Sequence, residues 1–361
     1  MAVLGTRPEA IKMCPVIIEL KKRKNVDLYV CITGQHREML RSVLDIFGVR
    51  ADCDLDIMKE GQSLADITKA VLDGISEVLE REKPDVVLVH GDTTTAFAAS
   101  LACFYKKIPV GHVEAGLRTY DVYSPYPEEF NRRAIDITAS YLFAPTRLSA
   151  ENLLREGADE NSIFVTGNTA IDALRLTVRE EYSSPITEAA AGKRIILLTA
   201  HRRESHGEAL RGIFRAVRRI ADEFDDVMIV YPVHPNPTVR AAAKETLSGH
   251  ERIMLTEPLD VIAFHNLMAK SRFIMTDSGG IQEEAPSLGK PVLVLRDVTE
   301  RPEGVEAGTL RIAGTDEEKV YLACKNLLCD EAEYAKMSAA ENPYGDGKAS
   351  RRIADVLLSE S

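Results

Sequence analysis

The residues best suited to chemistry concentrate between Val86 and Arg133, in the runs H-G-D-T-T-T (90–95), G-H-V-E-A-G-L-R-T (111–119) and Y-S-P-Y-P-E-E-F-N-R-R (123–133). His90 and Asp92 close one short apolar run (85–89), and His112 and Glu114 close another (109–113). Glu128 opens a helix expected over 128–139, behind a proline-rich loop. Short apolar runs of this kind read as buried parallel strands, and ligands in such sheets bind at the carboxyl ends of strands. Three carboxylates and two imidazoles gathered on one rim suit proton transfer, with Asp92, Glu114 and Glu128 as the candidate acids and bases. The competing reading of Glu114 is a buried ion pair with Arg118 or Arg133.

A second group of residues suits a diphosphate. T-D-S-G-G-I-Q-E-E (276–284) follows an expected strand and opens a helix, where free backbone N–H groups and the helix dipole favour anions. Ser278 or Asp277 would otherwise be an ordinary helix cap. Glu284 lies where a carboxylate can accept ribose hydroxyls or simply occupy an early turn. Arg7, Lys12, Arg202, Arg203 and Arg301 are the basic residues at or near strand ends, and guanidinium pairs well with phosphate. His201 heads H-R-R-E directly after a strand, where it can donate to a phosphate or fill a strand-end pocket. His201, His206 and His234 lack the i, i+4 pairing of a helical metal site, so no metal is expected. Neither G-x-x-x-x-G-K-[ST] nor G-x-G-x-x-G occurs, which argues against a P-loop NTPase or a dinucleotide oxidoreductase.

Positioning these groups requires an alternation of strands and helices. Besides 85–89 and 109–113, strands are expected at 2–4, 28–33, 142–144 and 163–165, with helices after Pro8, at 36–47 and at 63–81. The alternation restarts at 194–199, 227–231, 253–255, 273–276 and 291–295, after a stretch at 180–193 that reads as a linker. Beyond Asp316 the chain reads as helical, ending in a helix at 351–359 after N-P-Y-G-D-G-K-A-S. This predicts an α/β protein of two Rossmann-like domains, 1–170 with 351–361 and 171–350. If the two rims face one another, one cleft collects both groups of residues. A net charge of −11 argues against a nucleic-acid-coating surface. No apolar run is long enough to span a bilayer, nothing reads as a signal peptide, and six scattered cysteines fit a reducing cytoplasm.

Taken together, the chain resembles the non-hydrolysing UDP-N-acetylglucosamine 2-epimerases. The matching stretches are those above together with G-T-R-P-E-A-I-K-M (5–13), T-G-Q-H-R-E-M-L (33–40), D-S-G-G-I-Q-E-E-A-P-S-L-G-K-P-V-L (277–293), T-E-R-P-E-G-V-E-A-G-T (299–309) and N-P-Y-G-D-G-K-A-S (342–350). The resemblance implies the B-type glycosyltransferase architecture, with the last helix crossing back to the first domain. It implies Asp92, Glu114, Glu128 and His201 as catalytic groups. It implies Arg7, the Leu259 backbone, Phe264, Ser278, Gly279, Gly280, Glu284 and Arg301 around the nucleotide, and Lys12 at the substrate pocket. The implied reaction interconverts UDP-GlcNAc and UDP-ManNAc through a 2-acetamidoglucal, without metal or redox cofactor. A hydrolysing relative that releases ManNAc and UDP, and a glycosyltransferase on the same scaffold, are the alternatives. Some bacterial members carry an activating second site near the loop matching Gln35 and His36, with an arginine where this chain has Gly61 before Gln62. A cytoplasmic homodimer is expected, with neither nucleic acid nor membrane as partner.

Overall fold

The structure is a computed structural model that describes every residue except Gln35, His36, Glu60, Arg203, Glu204, His206, Glu360 and Ser361, and omits the side chains of Arg37 and Glu38. The expectations attached to the Gln35–His36 loop, Arg203, Glu204 and His206 therefore lie outside the described residues. The chain divides into two compact units, Met1–Leu176 with Tyr344–Ser361, and Thr177–Pro343.

In the first unit, seven strands form one parallel sheet: β1 (Ala2–Leu4), β2 (Val30–Ile32), β3 (Cys53–Asp54), β4 (Val87–His90), β5 (Val110–Val113), β6 (Tyr141–Ala144) and β7 (Ile163–Val165). Their spatial order is β3-β2-β1-β4-β5-β6-β7. Parallel neighbours need crossovers, and a helix follows each of the first six strands in sequence. Helices on both faces bury the sheet, which is why β4 reads as an unbroken apolar run rather than an alternating one. Chain direction across the sheet reverses between β1 and β4, the switch point at whose carboxyl end ligands bind in open parallel sheets. Gly5 sits at that point, and a Cβ there would lie 2.2 Å from Thr95 Oγ1, so only glycine fits without a shift.

The final helix, Ala349–Ser359, belongs to this same unit. Ile353 and Ala354 pack into the cluster formed by Ala10, Val16 and Ile17 of the helix Arg7–Lys21. Asp172 accepts the backbone N–H groups of Ala349 (3.2 Å) and Ser350 (2.8 Å), supplying the cap that the chain itself lacks there. The return of the last helix to the first unit is thus as expected.

The second unit repeats the plan with β8 (Arg194–Thr199), β9 (Val227–Pro232), β10 (Ile253–Thr256), β11 (Phe273–Thr276), β12 (Val292–Val294) and β13 (Leu310–Ile312), ordered β10-β9-β8-β11-β12-β13 and all parallel. Its reversal falls between β8 and β11. Two strands were absent from the sequence reading, β3 and β13, each at a sheet edge. A two-residue strand reading Cys-Asp, and one interrupted by Arg311, carry no apolar run to detect. The expected linker at 180–193 instead contains a short helix, Pro185–Ala189, capped by Ser184 through Thr187 N (3.3 Å).

Candidate active site

Each unit ties its switch point together with a buried carboxylate. In the first, Glu9 accepts N–H from Gly5 (3.0 Å) and Thr6 (2.6 Å), and the Thr93 hydroxyl (2.7 Å). It joins the turn after β1 to the turn after β4. Burial pushes its carboxyl above the ordinary range despite these donors. In the second, Asp277 accepts N–H from His201 (2.6 Å) and Arg202 (2.7 Å), joining the turns after β8 and β11. Burial would raise the Asp277 carboxyl, but the His201 hydrogen bond and charge, with the two N–H donors, hold it below its ordinary value.

On the rim of the first unit, Glu114 follows β5 with a left-handed backbone, φ 73°. Its carboxylate pairs with Lys12 from the helix Arg7–Lys21, stands 3.6 Å from His90 Nε2, and is reached by Asn168 Nδ2 at 3.4 Å. Burial alone would raise this carboxyl, yet Lys12 and His90 hold it well below the usual carboxylate range. Its partner is Lys12, not Arg118 or Arg133, which corrects the ion-pair reading. Arg118 is spent on Asp136 (2.7 Å) and Glu156, and Arg133 approaches Glu156 at 3.6 Å.

Asp92 follows β4 by two residues, and its carboxylate accepts both Nε (3.0 Å) and Nη2 of Arg132. Asn131 Nδ2 donates to its backbone carbonyl (2.9 Å). Both partners come from the helix Glu128–Thr138, so the helix that begins with Glu128 is docked against Asp92. Glu114 and Asp92 are neighbours, because a Cβ on Gly91 would lie 3.8 Å from Glu114 Oε1. Asp92, Glu114 and the start of the Glu128 helix therefore share one rim, with Lys12, Arg132 and His90 among them. Arg7 lies half-buried in the first turn of its helix, directly after the Gly5–Thr6 turn.

On the rim of the second unit, Ser278 occupies the N-cap of the helix Gly279–Glu284 but makes no side-chain cap bond. Asp277 is not the cap either, being engaged by His201 and Arg202. Gly279 lies beneath two guanidinium groups: a Cβ there would stand 3.4 Å from Arg301 Nη2 and 4.0 Å from Arg202 Nη2. Arg301 is oriented by an ion pair to buried Glu283, and Glu300 lies 3.9 Å from Arg202 and 3.4 Å from Arg296. Glu284 stands 3.8 Å from His265 Nε2, on the helix Val261–Lys270 that also carries Phe264. Half-buried Leu259 lies just before that helix. The His201 ring has Nδ1 3.2 Å from Asp277 Oδ1 and stacks on His234 with centroids 5.1 Å apart. Among the described residues, no three His, Cys, Asp or Glu side chains gather as metal ligands.

The residues missed by the sequence reading are Glu9, Asn131, Arg132 and Glu283, which orient the groups it named. Only Glu9 carried a usable signal, as the third residue after Thr6 in a capping-box pattern before an apolar helix.

Comparison with known proteins points the same way. A family model described as UDP-N-acetylglucosamine 2-epimerase matches residues 18–358. The chain is 61% identical over 358 residues to the UDP-N-acetylglucosamine 2-epimerase of Bacillus subtilis, covering 99% of this chain and 94% of that one. Among solved structures, it is similar to a putative UDP-N-acetylglucosamine 2-epimerase from Listeria monocytogenes, with TM-score 0.94, 53% identity, and 99% and 96% of the two chains covered. It is also similar to the UDP-GlcNAc 2-epimerase from Neisseria meningitidis bound to UDP-GlcNAc, with TM-score 0.91, 50% identity and 99% of each chain covered.

Proposed function

The chain belongs to the UDP-N-acetylglucosamine 2-epimerase family, and from that premise we propose how its residues interconvert UDP-GlcNAc and UDP-ManNAc. The hydrogen on sugar carbon 2 is not adjacent to a carbonyl, so a base cannot simply remove it as a proton. Expelling UDP through cleavage of the C1–O bond, while a carboxylate takes the carbon 2 proton, leaves 2-acetamidoglucal and avoids a free carbanion. Re-addition of UDP to C1, with a proton delivered to the opposite face of C2, gives the epimer. Two faces need more than one proton-transfer group, and Asp92, Glu114 and Glu128 share that work.

The observation that carries this reading is the ionised pair at adjacent strand ends, Glu114 against Lys12 and Asp92 against Arg132. Lys12 and His90 hold the buried Glu114 carboxyl ionised, and Arg132 orients the Asp92 carboxylate. The second unit supplies what a departing diphosphate needs, with Arg301 and Arg202 over Gly279 and the Ser278–Gly280 backbone beside them. His201, Arg7, Phe264, Glu284 and the Leu259 backbone complete the nucleotide contacts in this proposal. No step calls for a metal or a redox cofactor.

The test is incubation with UDP-GlcNAc in D2O, followed by NMR. Deuterium at carbon 2 of UDP-ManNAc is the expected result. Free ManNAc with UDP would instead identify a hydrolase, and sugar transfer to an added acceptor a glycosyltransferase.

Assembly and location belong to the same proposal. Phe104, Tyr105, Phe130 and Ile137 are exposed on the contacting helices Thr94–Lys106 and Glu128–Thr138, with Ile137 85% exposed. An apolar patch of this kind fits a homodimer contact. Light scattering should give a dimer mass that Ile137→Glu reduces to monomer. No helix among the described residues is long and apolar enough to cross a membrane. The cytoplasm, where nucleotide sugars and free thiols coexist, is the proposed compartment.

A further inference from the structure

His112 lies on β5 with none of its surface exposed. Its Nδ1 is 2.6 Å from Asp136 Oδ1, and its Nε2 is 2.7 Å from the carbonyl oxygen of Gly91. A carbonyl oxygen can only accept, so Nε2 donates to it. Asp136 also receives Arg118 Nη2 (2.7 Å) and Gly116 N (3.3 Å) on its other oxygen, which leaves Oδ1 as an acceptor for Nδ1. The ring therefore donates from both nitrogens. A buried ring with two charge-assisted or polar bonds is an expensive way to fill a core position that an apolar side chain would fill. Its recipient explains the expense.

Gly91 has a left-handed backbone (φ 65°), directly precedes Asp92, and lies against Glu114. The helix Glu128–Thr138 thus grips the Gly91–Asp92 turn at three points: Asn131 on the Asp92 carbonyl, Arg132 on its carboxylate, and Asp136 through His112 on Gly91. We infer that His112, oriented by Asp136, is a positioning residue that fixes the Gly91–Asp92 turn and so sets Asp92 and Glu114 for proton transfer. Both side chains are buried, so each acts through the turn. This inference rests on the proposed epimerisation.

The experiment compares wild type with His112→Phe, which keeps a planar aromatic ring and removes both donors, and His112→Gln, whose amide can still donate to Gly91. Loss of alignment should lower kcat of His112→Phe on the order of 100-fold, with KM and UDP affinity unchanged, and His112→Gln should recover part of it. Circular dichroism and UDP binding verify the fold. In parallel, 15N spectra of histidine-labelled wild type should show both His112 ring nitrogens protonated, a readout that survives if a variant does not fold. Wild-type kcat in folded His112→Phe, or one unprotonated ring nitrogen, would overturn the inference. If wild type itself fails to exchange carbon 2 hydrogen in D2O, the epimerisation reading falls instead, and the two failures are told apart.

Discussion

At the scale of single residues, the proposed proton transfer depends on a buried carboxylate staying charged. Glu114 is depressed because the Lys12 ammonium and His90 outweigh the burial that would raise it. Stability from this depression is present above the ordinary carboxylate value and is lost as pH falls through the lower folded value. Removing the Lys12 ammonium leaves His90 alone to oppose burial. Lys12→Met should therefore move the acid limb of the kcat/KM profile to higher pH, and an unmoved limb would show that Lys12 does not set the Glu114 charge. Asp92→Asn keeps shape and loses proton acceptance. Carbon 2 exchange should fall about 10²- to 10⁴-fold while UDP still binds in calorimetry, and wild-type exchange would remove Asp92 from the mechanism. The candidate residues Asp92, Glu114 and Ser278 were legible because each lies within three residues of the end of an apolar run. Their partners were not. Arg132 looks like one of many helix-surface arginines until the helix is docked, and Lys12 reaches Glu114 only because its own helix lies beside the rim.

At the scale of elements, glycines decide where strand ends can turn. Gly116, in the segment after β5, has φ 83°, and a Cβ there would meet the Ser149 carbonyl at 2.2 Å. Backbone on one side and positive φ on the other leave no cheap relief. Gly116→Ala should cost at least about 1 kcal/mol in chemical denaturation, and an unchanged midpoint would contradict the packing described. Central strands such as β4, β8 and β12 announced themselves as Val, Ile and Leu runs because both their faces are covered. Edge strands β3 and β13 did not, since pairing on one side tolerates Asp54 and Arg311. Helix starts were legible where a cap was present, as at Ser63, which accepts Asp66 N and leads the helix Leu64–Glu82. The helix Ala349–Ser359 has its cap from Asp172, far away in sequence, and no local pattern could show that.

For the molecule as a whole, the proposed division of labour follows from repeating one fold plan with different rim residues. Both units are parallel sheets with a single reversal, and both cross that reversal with a carboxylate, Glu9 or Asp277. Acids with cationic partners line one rim and arginines over a glycine line the other, the contrast on which the proposal of proton transfer in the first unit and diphosphate binding in the second rests. The most direct test is positional isotope exchange with UDP-GlcNAc carrying 18O in the bridge between C1 and the β-phosphorus. Cleavage of C1–O frees UDP to rotate its terminal phosphate before re-adding, so the label should appear at nonbridging phosphate oxygens in both epimers. Full conversion to UDP-ManNAc with the label held entirely in the bridge would contradict elimination and re-addition.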